Sequence, residues 1–168
     1  MRRGQDMHVW LIVRGLLLVL VANGAPLLGR RIFGGWCEWR VDFGLRFPDG
    51  TPLLGKSKTI RGVVLSVVAT SLAAVALALP WTVGALAALA AMAGDMLSSF
   101  VKRRLKLPSQ SMAPGLDQAP ESLFPLLACK DALGLSAHDA VIGAALFWVG
   151  EIVLSRALFS LKIRERPY

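Results

Sequence analysis

Gly94-Asp95-Met96-Leu97-Ser98-Ser99-Phe100-Val101-Lys102-Arg103-Arg104 sets a carboxylate, hydroxyls and a run of cations at the end of an apolar stretch that begins at Trp81. Leu116-Asp117-Gln118 follows a short connection later. If residues 81 to 101 form one helix, Asp95, Ser99, Lys102, Arg103 and Lys106 recur at three- to four-residue steps and share a face. Carboxylates among cations at the edge of an apolar helix suit a polyphosphate and a metal ion together.

Working outward, the chain of 168 residues is 55% hydrophobic, with a mean hydropathy of +0.56, too apolar for an ordinary soluble domain. The apolarity comes in blocks. Residues 9 to 28, 62 to 79, 81 to 101 and 140 to 161 are each long enough, at about 1.5 Å per residue, to cross most of a bilayer core of roughly 30 Å. A fifth block, about 120 to 135, is short and carries Lys130 and Asp131.

Charge decides the count. Arg30, Arg31, Arg40, Arg46, Lys56, Lys58 and Arg61 fill the first connection, Lys102 to Lys106 the next basic one, and Lys162 to Arg166 the tail. The positive-inside rule places all of these in the cytoplasm. The uncharged Leu79-Pro80-Trp81-Thr82 connection returns the chain across the bilayer, so one more crossing is needed after residue 101, and only 120 to 135 supplies it. The expectation is therefore an all-α integral membrane protein, one domain over 1–168. It has about five transmembrane helices, cytoplasmic loops at about 29–61 and 102–119, and a polar site facing the cytoplasm. Such a chain is multi-pass in the cell (inner) membrane, with its N-terminus outside. The first apolar run lacks a small-residue cleavage site followed by a soluble domain, so it reads as a retained span.

The net charge of +8 and pI near 10.3 need no nucleic acid partner. Basic loops would hold anionic headgroups of membrane lipids and attract an anionic soluble substrate. Cys37 and Cys129 have neither CxxC nor Cys/His spacing, so neither a disulfide nor a zinc site is indicated. Nothing in the sequence fixes the oligomeric state, and a homo-oligomer is compatible with it.

Phe33, Trp36, Trp39, Phe43 and Phe47 recur at three- to four-residue steps among charges, as in a helix lying in the membrane interface. Next, Gly50-Thr-Pro-Leu-Leu-Gly55-Lys56-Ser57 satisfies the Walker A pattern. Its context is wrong, because the preceding Val41 to Asp49 is charged and interrupted by Gly44 and Pro48, and a membrane span begins soon after. With Lys58-Thr59-Ile60-Arg61-Gly62 the same stretch is a dense phosphate-binding surface in any fold.

Three ordered elements, Asp49-Gly50-x-Pro52-Leu53-x-Gly55-x-x-Lys58-Thr59-x-Arg61-Gly62, Gly94-Asp95-x-x-x-Ser99-x-x-Lys102-Arg103-Arg104 and Leu116-Asp117-Gln118, resemble the CDP-archaeol synthase family. That family is similar in turn to the C-terminal half of bacterial phosphatidate cytidylyltransferases. The resemblance covers about residues 30 to 125. It implies a five-helix membrane enzyme that joins CTP to a lipid phosphate, an archaeal-type ether lipid phosphate or phosphatidate, with magnesium as cofactor and release of pyrophosphate. Asp95 and Asp117 match the acidic metal positions. A further acid expected three residues beyond Asp117 is Pro120 here, with Glu121 next door, so a third carboxylate stays open.

The chemistry of that reaction agrees with the residues. Two anions must be brought in line, and cations must neutralise both. Asp95, Asp117 and Lys102 are the candidate catalytic residues, with Asp95 and Asp117 on the metal. Lys56, Lys58, Thr59, Arg61, Ser99, Arg103 and Arg104 are the candidates for binding substrate phosphates. Each has a plainer reading: Lys102-Arg103-Arg104 as a stop-transfer anchor, Asp95 as a buried partner of Arg61, Asp117 as a turn residue, Ser99 as packing. Glu151, near the middle of its span, reads as a helix-packing or lipid-cavity residue. The alternative from another class is a non-catalytic membrane protein whose basic loops hold anionic lipids. It explains the cations but not the carboxylates set among them.

Overall fold

The computed structural model describes residues 2–107, 113 and 115–160, so the basic tail and part of the loop at 102–119 lie outside the described residues. The described chain is all-helical apart from its loops: α1 (Arg2–Phe33), α2 (Ile60–Ala76), α3 (Trp81–Arg104), α4 (Gln118–Ala128), α5 (Lys130–Leu133) and α6 (Ala137–Ser160). Three stretches are long and apolar enough to cross a membrane, His8–Phe33, Trp81–Arg104 and Ala137–Arg156, while α2 is a shorter apolar helix of 17 residues.

Small residues let the helices meet. Ser66 and Thr70 are fully buried on α2, and the Ser66 hydroxyl donates to the Ala22 carbonyl of α1 at 2.8 Å. In an apolar solvent such close backbone packing and interhelical hydrogen bonds replace the hydrophobic effect as the cohesive force. A Cβ on Gly84 would stand 2.3 Å from the Thr70 carbonyl oxygen, so only glycine lets α3 lie this near α2. Arg14 of α1 donates to the Leu77 carbonyl at the end of α2, where a cation meets the negative end of the helix dipole.

The block expected as one span at 120 to 135 is instead two pieces. α4 has 11 residues, about 16 Å of rise, and Cys129 separates it from the single turn of α5, which Gly134 ends with a left-handed φ of 70°. Pro125 lies inside α4 and removes a ladder donor, which shortens the run. α4 lies antiparallel to α3: its first turn touches Gly94, and the Cys129 thiol approaches the Val83 carbonyl at 3.6 Å. Gly94 is ten residues before the end of α3, about 15 Å along its axis. α4 therefore begins level with the middle of α3 rather than with its end.

The aromatic segment after α1 does not form the interfacial helix that its spacing suggested. Residues 34–59 are turns with isolated antiparallel bridges, Arg40 with Thr59 and Arg46 with Pro52. Left-handed backbone at Gly34, Cys37, Phe43 and Gly44 breaks any helical run there. Trp36, Trp39 and Phe43 are nevertheless exposed, as membrane-facing aromatics would be. The Walker-like residues 50–57 follow turns, with no named strand before them among the described residues, so the context of a nucleotide-binding P-loop is missing.

A side chain at position 94 would place its Cβ 2.2 Å from the Pro120 carbonyl oxygen, a backbone atom that no rotamer change can move away. Gly84→Ala and Gly94→Ala should each lower the thermal unfolding midpoint in detergent, at an expected cost of about 1–3 kcal/mol for overpacking. The gain in helix propensity, about 1 kcal/mol, does not offset a backbone collision. Unchanged melting of both variants would contradict the close approaches.

Candidate active site

The basic end of the bundle encloses a cavity of about 520 Å³, within the usual range for small-molecule sites, roughly 300–1,000 Å³. α1 contributes Asn23 and Pro26, the first loop Lys56, Ser57 and Lys58, and α2 opens on it with Thr59 and Arg61. α3 presents Asp95, Ser99, Lys102 and Arg103, while Asp117, Gln118 and Glu121 close it from the start of α4, and Phe147 and Glu151 from α6. The helical face read from the sequence is real for Asp95, Ser99, Lys102 and Arg103. It stops before Lys106, because α3 ends at Arg104 and Lys106 has a φ of 57°.

Two ion pairs form the centre. Lys58 Nζ lies 2.5 Å from both oxygens of Asp95, with the two side chains 16% and 22% exposed. Lys102 Nζ lies 2.7 Å from Asp117 Oδ1, while Asp117 Oδ2 accepts the Ala113 amide at 3.1 Å. Sequence reasoning offered Arg61 as the partner of Asp95. The structure gives Asp95 to Lys58, and Arg61 instead donates to the Gly34 and Trp36 carbonyls and pairs with Glu38 at 3.4 Å. Glu121, left open by the sequence, sits with its carboxyl group in contact with that of Asp95. Adjacent carboxylates repel unless a cation or a proton lies between them.

The other candidates divide by what already occupies them. Thr59 is the N-cap of α2, its hydroxyl accepting the Gly62 amide at 3.1 Å. Arg103 lines the cavity and donates to the Leu107 carbonyl. Ser99 is buried in the cavity wall, and Lys56 is exposed at the mouth. Arg104 is drawn away from the cavity by partners in the first loop. It pairs with Asp49 at 3.1 Å, donates to the Thr51 hydroxyl at 2.6 Å, and stacks over Phe47 and Phe100 at 4.2 and 4.9 Å. Those contacts make it a clamp on the loop, outside the residues that line the cavity.

The loop itself is held by Asp42, a residue the sequence reading passed over. Its carboxylate is buried and accepts the amides of Gly44, Leu54 and Gly55 at 2.9, 3.0 and 3.3 Å. The Val41 amide donates to the Lys58 carbonyl at 3.0 Å, and the Ile60 amide to the Trp39 carbonyl at 2.9 Å. Lys58 is thus strapped to the segment that Asp42 orders. An acid two residues before glycine, ahead of a turn-rich stretch, is the one signal that pointed to it.

Among the described residues no three His, Cys, Asp or Glu side chains form a ready cation cage. Magnesium does not need one, because it keeps waters and is commonly held by one or two carboxylates together with substrate phosphates. Asp95, Asp117 and the neighbouring Glu121 are the right donor type for that arrangement.

No family model matches the chain. It is 38% identical over 135 residues to the CDP-archaeol synthase of Hyperthermus butylicus, 77% of each chain, and 35% identical to that of Aeropyrum pernix, over 97% of this chain and 96% of the relative. The Methanopyrus kandleri CDP-archaeol synthase is 33% identical over 95% of each. The chain belongs to the CDP-archaeol synthase family. A solved structure described as an intramembrane enzyme for archaeal membrane lipids biosynthesis superposes with a TM-score of 0.70 at 36% identity, over 84% of this chain and 90% of that one. Membership of the CDP-archaeol synthase family makes this a membrane nucleotidyltransferase of lipid biosynthesis, and gives no support to phosphatidate as substrate or to a non-catalytic lipid-binding role.

Burial raises the Asp42 pKa, but the amide hydrogen bonds from Gly44, Leu54 and Gly55, aided by Arg40, outweigh it and hold the carboxyl below its ordinary value of 3.8. A lowered folded-state value means that this contribution is fully present above 3.8 and is lost as the pH falls through the folded value. The loop should therefore loosen only in acid, at a pH below 3.8. Asp42→Asn should remove that pH dependence and destabilise the loop at neutral pH, by about 1–3 kcal/mol if an acceptor is lost from buried amides. Limited proteolysis within residues 34–59 checks both.

Proposed function

We propose that this chain transfers the cytidylyl group of CTP to the phosphate of an archaeal-type ether lipid, releasing pyrophosphate and leaving a CDP-activated lipid. The observation that carries the reading is the convergence of Lys58, Asp95, Lys102, Asp117 and Glu121 on one cavity inside an apolar helical bundle. The names of the relatives supply the substrate class.

A lipid phosphate oxygen attacks the α-phosphorus of CTP, and the new P–O bond forms as the bond to pyrophosphate breaks. The attacking phosphate is already ionised near pH 7, so no general base is required. Lys58 from the loop before α2, and Lys102 and Arg103 from α3, all line the cavity, where they can spread over the charge of the two reacting anions. The first turn of α2 opens on the same space with its positive dipole end, which favours negative charge there. Lys56, exposed at the mouth, adds to the field that draws the nucleotide in. Magnesium, held by Asp95 and Asp117 with Glu121 beside them, would supply Lewis acidity and charge compensation to the triphosphate. Asn23, Phe147 and Glu151, from the apolar helices α1 and α6, line the same cavity.

The same reading puts the basic end of the bundle in the cytoplasm, where CTP is. With Cys37 replaced by serine, a single cysteine at Ser57 should be shielded from an impermeant thiol reagent outside intact cells, and one at Thr82 should react. Labelling of position 57 from outside would reverse the orientation.

Purified protein given labelled CTP, magnesium and either an ether-linked isoprenoid phosphate or a diacyl phosphatidate should label the ether lipid. Asp95→Asn and Asp117→Asn should each cost at least about a hundredfold in turnover, near 2.7 kcal/mol. The double variant should be little worse than either single one, because the groups act as a unit. Transfer at near wild-type rate by Asp95→Asn would refute the metal-site role.

A further inference from the structure

The carboxylates that the proposed reaction needs for a cation are each already matched by an ammonium group. Lys58 Nζ stands 2.5 Å from both oxygens of Asp95, the place from which a metal ion would be held by the same pair. Lys102 Nζ stands 2.7 Å from Asp117 Oδ1. These are not loose surface pairs: the lysine side chains are 16% and 10% exposed, and the backbone of Lys58 is bonded to Val41.

Resting on the nucleotidyl-transfer reading, we propose that Lys58 and Lys102 are resident counter-ions that close Asp95 and Asp117 to a divalent cation until a triphosphate arrives, so that metal and nucleotide enter as one complex. The reason is charge balance in a recess walled by apolar helices. A divalent cation arriving alone would have to displace two ammonium groups from their carboxylates and keep them close beside it, which is costly where solvent is scarce. A metal-free triphosphate would set its oxygens against Asp95 and Asp117. Arriving together, the two satisfy every group: each ammonium passes from a carboxylate to a phosphate oxygen, and the carboxylates receive the cation in exchange. The coupling is reciprocal, so the cation tightens nucleotide binding by the factor by which the nucleotide tightens cation binding.

The test uses the full chain in detergent, with Mn²⁺ as a paramagnetic probe read by electron spin resonance, with and without CTP. Wild type should bind Mn²⁺ at least tenfold more tightly with CTP than without. Lys58→Met and Lys102→Met, which keep length but lose the ammonium, should each bind Mn²⁺ alone at least tenfold more tightly than wild type. Equal Mn²⁺ affinity of the wild type with and without CTP overturns the proposal, as does an unaltered metal-alone affinity in the lysine variants. If one lysine variant does not fold, by its melting in detergent, the other decides. Should wild type bind no Mn²⁺ even with CTP, and Asp95→Asn behave identically, the metal-site reading itself falls and takes this proposal with it. Binding by wild type with CTP that Asp95→Asn abolishes, together with unchanged lysine variants, removes the proposal alone.

Discussion

The closeness of α3 and α4 at Gly94 is the constraint on which the site depends. Only a residue without a Cβ lets the Pro120 carbonyl come so near α3, and that contact fixes where α4 begins. Asp117 and Glu121 flank Pro120 in sequence, so the depth of this one contact decides that they stand at the level of Asp95 and Lys102 rather than at the bundle's end. A bulkier residue at 94 would move both carboxylates with the helix that carries them. Gly94 and Asp95 are adjacent because one makes room for the partners of the other.

A second constraint acts from the opposite wall. Lys58 reaches Asp95 from a loop with hardly any regular structure, and a lysine on a loose tether would lose much rotamer and backbone freedom on pairing. Asp42, Arg104 and Arg61 remove most of that freedom beforehand: one gathers three amides, one grips the hairpin against Phe47 and Phe100, and one ties the loop to its own start. Several of the chain's cations thus shape the site without being available to a substrate.

Much of this was legible in the sequence and some was not. The apolar runs at 62 to 79, 81 to 101 and 140 to 161 coincide with α2, α3 and α6 to within three residues, while α1 extends seven residues before and five beyond the run at 9 to 28; each is helical because a span must satisfy its backbone internally. The face of α3 carrying Asp95, Ser99, Lys102 and Arg103 followed from the helical repeat alone. The separation of Arg104 from Arg103 did not, since it depends on Asp49 and the aromatic rings arriving from a loop over fifty residues earlier. The aromatic spacing in the first loop imitated a helix, but left-handed backbone at Phe43 and the following glycine cannot be read from periodicity. The break within residues 120 to 135 was hidden for a related reason: composition marks a segment as apolar without saying at what depth its helix starts. Glu121 is the clearest case, one residue away from where a family pattern expects an acid and yet in contact with Asp95.

The start of α4 at the level of Gly94, about ten residues short of the end of α3, has a consequence for where the chemistry happens. A recess lined by Lys58, Asp95, Lys102, Asp117 and Glu121 cannot be filled by hydrocarbon, so it must be wet. The protein thereby carries a small inlet of the aqueous phase down toward the lipid, instead of lifting the lipid out. Each methylene withdrawn from the bilayer would cost about 0.8 kcal/mol, a sum that for a long isoprenoid chain exceeds what any headgroup contact returns. With the inlet in place the tails stay where they are, and only the polar end of the substrate changes its surroundings.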